Sequence, residues 1–283
     1  MPELPEVETV RRSLEHRIIG ETISSVQLRG PGLRWPFQDD LVDRIAGRRI
    51  AGCGRRGKYL VIELARNESL ICHLGMSGTF TVLDRHPGEF DAHDHVVFTM
   101  SGGLLLVYND PRRFGSMECV ATDALSEHRV LGRLGPEPVS ASFTAEVLAA
   151  QLHGRRCSIK SALLNQQVVA GVGNIYACEA LHRARIGPRA RAGSLCRGRE
   201  TPTPRCRELA SALTAILQKA IEAGGSTLRD FTSPDGHTGL FPSSFRVYDR
   251  EGLRCRRRGC DGSIRAFQQQ GRTTFACPRC QRA

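Results

Sequence analysis

Residues 163–181 read LLNQQVVAGVGNIYACEAL. Two helix-forming runs are joined through Gly171-Val172-Gly173, and Asn174 stands where the second run needs an N-cap. Free N–H groups and the positive end of the helix dipole at such a start can hold a phosphate. A tight interhelical turn needs glycine in any case, so the turn by itself serves packing as well as binding. No strand precedes it, which excludes a dinucleotide fingerprint. Arg155, Arg156 and Lys160 lie just upstream and favour a DNA backbone as the anion.

Helical periodicity extends to both sides. It predicts helices over 124–135, 144–152, 159–169, 174–184 and 205–224. Before residue 121 the pattern is different. Short apolar runs separated by turn residues, at 22–28, 59–64, 69–76, 78–83, 95–100 and 104–110, predict an antiparallel sandwich or barrel. Ahead of them stands MPELPEVETVRRSLEHRI, residues 1–18. Pro5 suits a first helical position, and Glu6 and Glu8 complement the helix dipole. Val7, Val10, Leu14 and Ile18 give that helix one apolar face. None of this explains Pro2-Glu3, which lie outside the helix.

Downstream, Cys255, Cys260, Cys277 and Cys280 form C-x4-C-x16-C-x2-C. Two close thiolate pairs suit one tetrahedral Zn2+, which staples a module too small for its own core. Between the pairs, IRAFQQQGRTTFAC predicts a β-hairpin with Arg272 at or near its tip. The other seven cysteines are scattered singly. With no export signal at the N-terminus, free thiols point to a reducing cytoplasm, and no apolar run is long enough for a membrane span. The 283 residues carry a net charge of +11 with a pI of about 9.5, which favours a polyanionic partner. Residues 245–283 hold ten arginines against three acidic residues, a formal +7.

The predicted architecture is multi-domain, α and β. An N-terminal helix and antiparallel β-sandwich occupy 1–133, a helical domain with a helix-two-turn-helix 134–240, and a four-cysteine zinc-finger β-hairpin 245–283.

Pro2-Glu3, the GVGNIY turn and four terminal cysteines in one chain resemble the formamidopyrimidine-DNA glycosylase family, the bacterial base-excision repair enzymes for oxidised purines. MPELPEVETVRR, RRGKYL, HLGMSG, HDHV, NDPRRFG, GGSTLRDF and RVYDREG extend the resemblance nearly end to end and in order. Leu4 stands where the endonuclease VIII branch usually has glycine, which favours the purine branch. Two departures are the x4 gap between the first cysteines and Ala276 where an aromatic is common.

The resemblance implies a bifunctional glycosylase/AP lyase acting on damaged double-stranded DNA as a cytoplasmic monomer. Pro2, freed by removal of Met1, would be the nucleophile, and Glu3 the acid that helps open the deoxyribose ring. Lys58 would bind phosphate near the lesion and assist β-elimination, and Arg272 would assist δ-elimination. Met76, Arg112 and Phe114 would fill the gap left by an extruded base. His93, Arg156 and Asn174 would contact DNA, joined by Lys160 from the basic cluster beside the turn. GGSTLRDF and the following loop would close over the extruded purine. Two alternatives are an endonuclease VIII-like glycosylase for oxidised pyrimidines and a zinc-dependent DNA-binding protein without catalysis.

Overall fold

A computed structural model describes residues 1–226 and 241–282. The chain forms two compact units, Met1–Arg133 with Ala223–Leu240, and Leu134–Glu222 with Phe241–Ala283.

The first unit begins with α1 (Leu4–Ile18). It continues through β1 (Ile23–Leu28), the short α2 (Leu41–Ile45), β2 (Ile50–Arg56), β3 (Tyr59–Leu64), β4 (Glu68–His73), β5 (Thr79–Leu83), β6 (Asp94–Met100), β7 (Leu105–Asn109) and β8 (Ser116–Ala121). Two four-stranded antiparallel sheets result, ordered β1-β6-β7-β5 and β2-β3-β4-β8. All six expected strands are present. The sequence pattern passes over β2 and β8, whose IAGCGRR and SMECVA lack a continuous apolar run. The predicted apolar face of α1 is fully buried: Val7, Val10, Leu14 and Ile18 join one core with Phe80, Phe98 and Tyr108.

The second unit holds α3 (Ala145–Leu152), α4 (Ile159–Leu164), α5 (Asn174–Arg183), a small β9 (Cys196–Gly198) and β10 (Thr201–Pro202) pair, and the long α6 (Pro204–Glu222). A two-stranded hairpin, β11 (Arg265–Gln269) and β12 (Arg272–Ala276), closes it. Two helix expectations need correction. Residues 124–135 hold turns, the end of a 3-10 turn at Thr122–Ala124 and a second 3-10 turn at Leu131–Arg133, because Gly132 and Gly135 break the run. The helix begun at Ile159 ends at Leu164, and 165–173 form the connector. Gln166 shapes that connector: its Nε2 donates to the carbonyls of Leu164 and Val172 at 3.1 and 2.8 Å, and its Oε1 accepts Gly171 N–H at 2.9 Å. Among the described residues no helix is long and apolar enough to cross a membrane.

Candidate active site

Pro2 and Glu3 are buried, Glu3 to 2% exposure, although they stand at the chain's start. Glu3 is the extended N-cap of α1. Glu3 and Glu6 form a capping box, in which Glu6 Oε2 accepts Glu3 N–H at 2.8 Å. The other oxygen of Glu6 accepts the Ser226 N–H at 2.7 Å and its hydroxyl at 2.8 Å. Gly225 makes that approach with φ +81, and a Cβ there would lie 3.2 Å from Glu6 Oε1. Glu6 is therefore more than a helix-start residue. It ties the first turn to a segment 220 positions away.

Two residues further along α1, Glu8 accepts from Arg11 Nη2 at 3.0 Å, Arg12 Nε at 2.9 Å and Arg55 Nε at 3.0 Å. Burial alone would raise the Glu8 pKa, but the hydrogen bonds from Arg11, Arg55 and Arg12 outweigh it and hold the carboxyl below its ordinary value. Arg55 Nη1 in turn donates to the Gly57 carbonyl at 3.0 Å. Gly57, at φ +59, makes the β2–β3 turn that carries Lys58, which is 5% exposed. Through Arg55, α1 sets the position of the lysine turn.

The chain's first residue also lines a concavity of about 470 Å³ together with Arg34, His73, Met76 and Phe114. Met76 stands on the loop after β4; Arg112 and Phe114 stand on the loop after β7. One residue joins the loops. Asp110 is fully buried and accepts from Ser77 Oγ at 2.6 Å and from Gly115 N–H at 2.8 Å. Ser77 Oγ itself accepts Arg112 N–H at 3.3 Å. The loops touch backbone to backbone: a Cβ on Gly75, at φ +63, would fall 2.4 Å from Gly115 N. Phe114 is left 45% exposed with the Arg112 guanidinium 4.8 Å above its ring. His93 is exposed at the same place, its carbonyl accepting Asp110 N–H at 3.0 Å. The structure thus brings Met76, His93, Arg112 and Phe114 around one aspartate.

Sequence reasoning passed over His73 and Asp110, although both stand inside quoted motifs. The His73 ring lies against Tyr59, 4.8 Å between centroids, and its Nδ1 accepts Gly75 N–H at 3.0 Å. Burial, with the positive charges of Lys58 and Arg34, pushes its pKa down to about 4. The imidazole is neutral at physiological pH.

In the second unit, α5 begins at Asn174 with Gly173 as its N-cap, one residue earlier than the sequence suggests. The Asn174 side chain reaches the hairpin instead, where Nδ2 donates to the Thr273 carbonyl at 2.9 Å. Lys160 turns inward. It is 1% exposed, and its Nζ donates to Thr274 Oγ1 at 2.6 Å and to the Thr273 carbonyl at 3.5 Å. Arg156 is exposed on the loop before α4. Arg272 is the exposed first residue of β12, directly after the Gln270-Gly271 tip, whose φ values are +52 and +70. Two positive φ values make the tight hairpin turn that projects Arg272. Glu179 of α5 anchors the strap before the finger, accepting the N–H groups of Arg246, Val247 and Tyr248 at 2.8–3.0 Å.

The four thiols of Cys255, Cys260, Cys277 and Cys280 lie within 4.8 Å of one another. The Cys255–Cys280 and Cys260–Cys277 sulfurs are 3.9 and 3.7 Å apart. A tetrahedral ion with metal–sulfur bonds of about 2.3 Å requires sulfurs about 3.8 Å apart. The donor set therefore fits a thiophilic divalent metal. The wide first gap places Arg256 and Arg257 on the knuckle, and Arg256 Nη1 donates to the Phe245 carbonyl at 2.7 Å. His182 of α5, fully buried, sits with Nε2 3.3 Å from Cys255 Sγ. Thr227 to Leu240, which include most of GGSTLRDF and the loop expected to cover an extruded base, lie outside the described residues.

Residues 1–117 match the family model of the formamidopyrimidine-DNA glycosylase N-terminal domain, and 134–232 that of its H2TH domain. This defines a DNA glycosylase with a helix-two-turn-helix domain. The chain belongs to the formamidopyrimidine-DNA glycosylase family. It is 49% identical to the formamidopyrimidine-DNA glycosylase of Bradyrhizobium diazoefficiens over the whole of both chains. It is 50% identical to that of Nitrobacter winogradskyi over 99% of this chain and all of the relative. Among solved structures it resembles a Lactococcus lactis FPG variant in complex with Fapy-dG DNA, with TM-score 0.89, 36% identity and full coverage of both chains. It also resembles wild-type Lactococcus lactis Fpg bound to DNA containing an oxidised pyrimidine, with TM-score 0.88, 36% identity and full coverage of both.

Proposed function

We propose that this chain excises oxidised purines, 8-oxoguanine and formamidopyrimidines, from duplex DNA and then cleaves the strand, with Pro2 as nucleophile. The observation that carries the reading is the placement of the N-terminus. Met1 lines the concavity that Met76 and Phe114 also line, and Pro2 is bonded directly to it, so removal of Met1 would leave a free Pro2 amine next to that concavity. A free α-amine has a pKa of about 8, against about 10.4 for lysine, so more of it is unprotonated at neutral pH.

The amine attacks C1′, and the bond to the base breaks with its electron pair leaving on the base, which is protonated. Glu3 gives a proton to O4′ as the sugar ring opens to an iminium. The iminium is an electron sink: the C2′ proton leaves and the 3′ phosphate is eliminated, with Lys58 on phosphate. Loss of the 5′ phosphate follows with help from Arg272. Hydrolysis of the iminium releases Pro2. Chemistry at C1′ requires the nucleotide to leave the stack. Met76, Arg112 and Phe114 fill the gap, Asp110 holding their loops together. Arg156, Asn174 and the amide end of α5 take backbone phosphate; Lys160 acts indirectly, by holding the hairpin that presents Arg272.

The four cysteines hold one structural Zn2+, which supplies folding energy to the finger and no chemistry. The protein acts as a monomer in the cytoplasm.

Borohydride trapping tests the reading. Mature protein incubated with an 8-oxoguanine duplex should give a covalent adduct, more than with an oxidised-pyrimidine duplex. Pro2→Gly, or retention of Met1, should lower the adduct by on the order of a thousandfold with DNA binding preserved. Full trapping by both would remove Pro2 from the mechanism. A larger yield on the oxidised pyrimidine would move the substrate to the endonuclease VIII-like class.

A further inference from the structure

The second unit has another basic surface that the reaction does not use. A concavity of about 910 Å³ is lined by Arg185, Arg205, Arg257, Arg258, Arg279 and Arg282. Asp261 is the one carboxylate in that lining, and it pairs with Arg279 at 3.1 Å where both side chains are about 70% exposed. The walls also include Cys260 and Cys280, so part of the positive charge offsets the metal centre. Four thiolates around a divalent ion carry a net charge of −2. Set against six arginines with Asp261 subtracted, that still leaves +3.

The position matters as much as the charge. At its first residue α5 meets the hairpin through Asn174. At its last residue it meets this basin, where Arg257 Nη2 donates to the Arg183 carbonyl at 3.1 Å. The helix is ten residues long, about 15 Å. The hairpin end carrying Arg272 and the arginine basin therefore lie at opposite ends of one rigid helix. A use for the basin alongside the hairpin requires that a duplex held at the hairpin end leave the basin open, and an experiment with two duplexes tests that requirement directly.

We infer that the arginine basin at the C-terminal end of α5 is a second DNA-backbone site, which takes the phosphates of a second duplex while the first is held at the hairpin end. The lining has no aromatic or aliphatic side chain. A peptide partner would need an apolar anchor to bind well. A phosphodiester backbone needs only charge and planar bidentate donors, which guanidinium supplies. Such a site lets the protein pass from one duplex to another without release.

The inference rests on duplex DNA as the partner, and excision from a short duplex reports on that reading separately. Metal-loaded full-length protein is first saturated with a short, bead-bound lesion duplex too small to fold back. A labelled undamaged duplex is then offered. Retention of the second duplex at 50 mM salt is expected, weakening about 40-fold at 200 mM for about three phosphate contacts. Arg258→Glu/Arg282→Glu should lower retention at least tenfold. Its excision of the lesion and its metal content should stay within about twofold of wild type. Arg258→Lys/Arg282→Lys should retain the second duplex to within about threefold. The inference is overturned if wild type retains no second duplex at 50 mM salt or if the Glu variant retains as much as wild type. It is equally overturned if the Lys variant loses retention like the Glu variant, or if a polyglutamate peptide displaces the second duplex at lower concentration than DNA does.

Discussion

Among the described residues of the sandwich unit, twenty-three buried residues from α1, α2, all eight strands and the loop after β4 form one apolar cluster. Around the finger, the corresponding cluster has seven, and four of these are cysteines. Yet both regions present exposed side chains on tight turns. In the sandwich, an apolar core fixes the strands, and buried carboxylates then position the loops: Glu6 the N-terminus, Glu8 the lysine turn, Asp110 the loops that carry the proposed wedge. In the finger there is too little apolar area to fix anything. Thiols, the Lys160 ammonium and the three amides on Glu179 take its place. The two halves of the machinery should therefore fail under different insults.

Metal removal is the strongest way to separate them. A structural zinc is worth on the order of 10 kcal/mol to a small module. Chelation, or Cys277→Ser, should unfold the finger and weaken lesion-duplex binding at least a hundredfold. The sandwich transition in calorimetry should remain. If it disappears too, the two units share one stability and the contrast is broken. The reverse insult is Leu14→Ala. Leu14 is fully buried in the sandwich core, and its truncation should cost about 3 kcal/mol. The melting midpoint of the first unit should fall with metal stoichiometry unchanged.

A pH titration sharpens the contrast at lower amplitude. His73 is held neutral down to about pH 4, whereas an unfolded histidine protonates near 6.5. The unfolded chain thus binds the extra proton between these values. Stability from this group is fully present above pH 6.5 and is lost as pH falls toward 4. For a ring only partly buried the loss should be about 2 kcal/mol. His73→Asn should remove most of the fall in sandwich stability between pH 6.5 and 4.5. Glu8, whose carboxyl is held below its ordinary 4.5, contributes in a separate window, lost as pH falls beneath that value. An unchanged slope in the His73 variant would mean that the ring is not the titrating group.

Local signals in the chain carried much of this. Periodicity placed α1 and its buried face; short apolar runs between turn residues placed six strands; the thiol spacing and the stretch between the cysteine pairs placed the finger hairpin. What escaped were β2 and β8, the two edge strands of their sheet, because a strand paired along one side only can carry glycine or charge without a continuous apolar run. The helix expected over 124–135 failed where glycine breaks it. The clasps escaped for another reason. Glu6 meets Ser226, Asp110 meets Ser77 and Glu179 meets Arg246, partners 220, 33 and 67 positions apart. No window along the chain contains both partners. Lys160 illustrates the same limit: its charge is visible in the sequence, but its inward direction is set by Thr274, 114 residues on.

The Asp110 clasp offers the finest test, because it asks whether the carboxylate aims the loops or merely fills the core. Ser77→Ala removes one donor from a buried carboxylate that keeps Gly115 N–H and, more weakly, the Tyr108 hydroxyl at 3.5 Å. A hydrogen bond to a charged group is worth about 1.5 kcal/mol or a little more, so the sandwich should still fold. The same change frees Arg112 N–H from Ser77 Oγ, so the loop carrying Arg112 and Phe114 loses its tie to the loop carrying Met76. On the proposed mechanism, a wedge that is less well aimed should hold the extruded state less often. KM for a lesion duplex should rise about tenfold, while borohydride trapping of a pre-formed abasic site, which needs little extrusion, should change less than twofold. Ser77→Thr keeps the hydroxyl and should restore KM. If Ser77→Ala instead lowers trapping on the abasic site as much as excision of the base, the clasp supports the whole fold and does not aim the wedge.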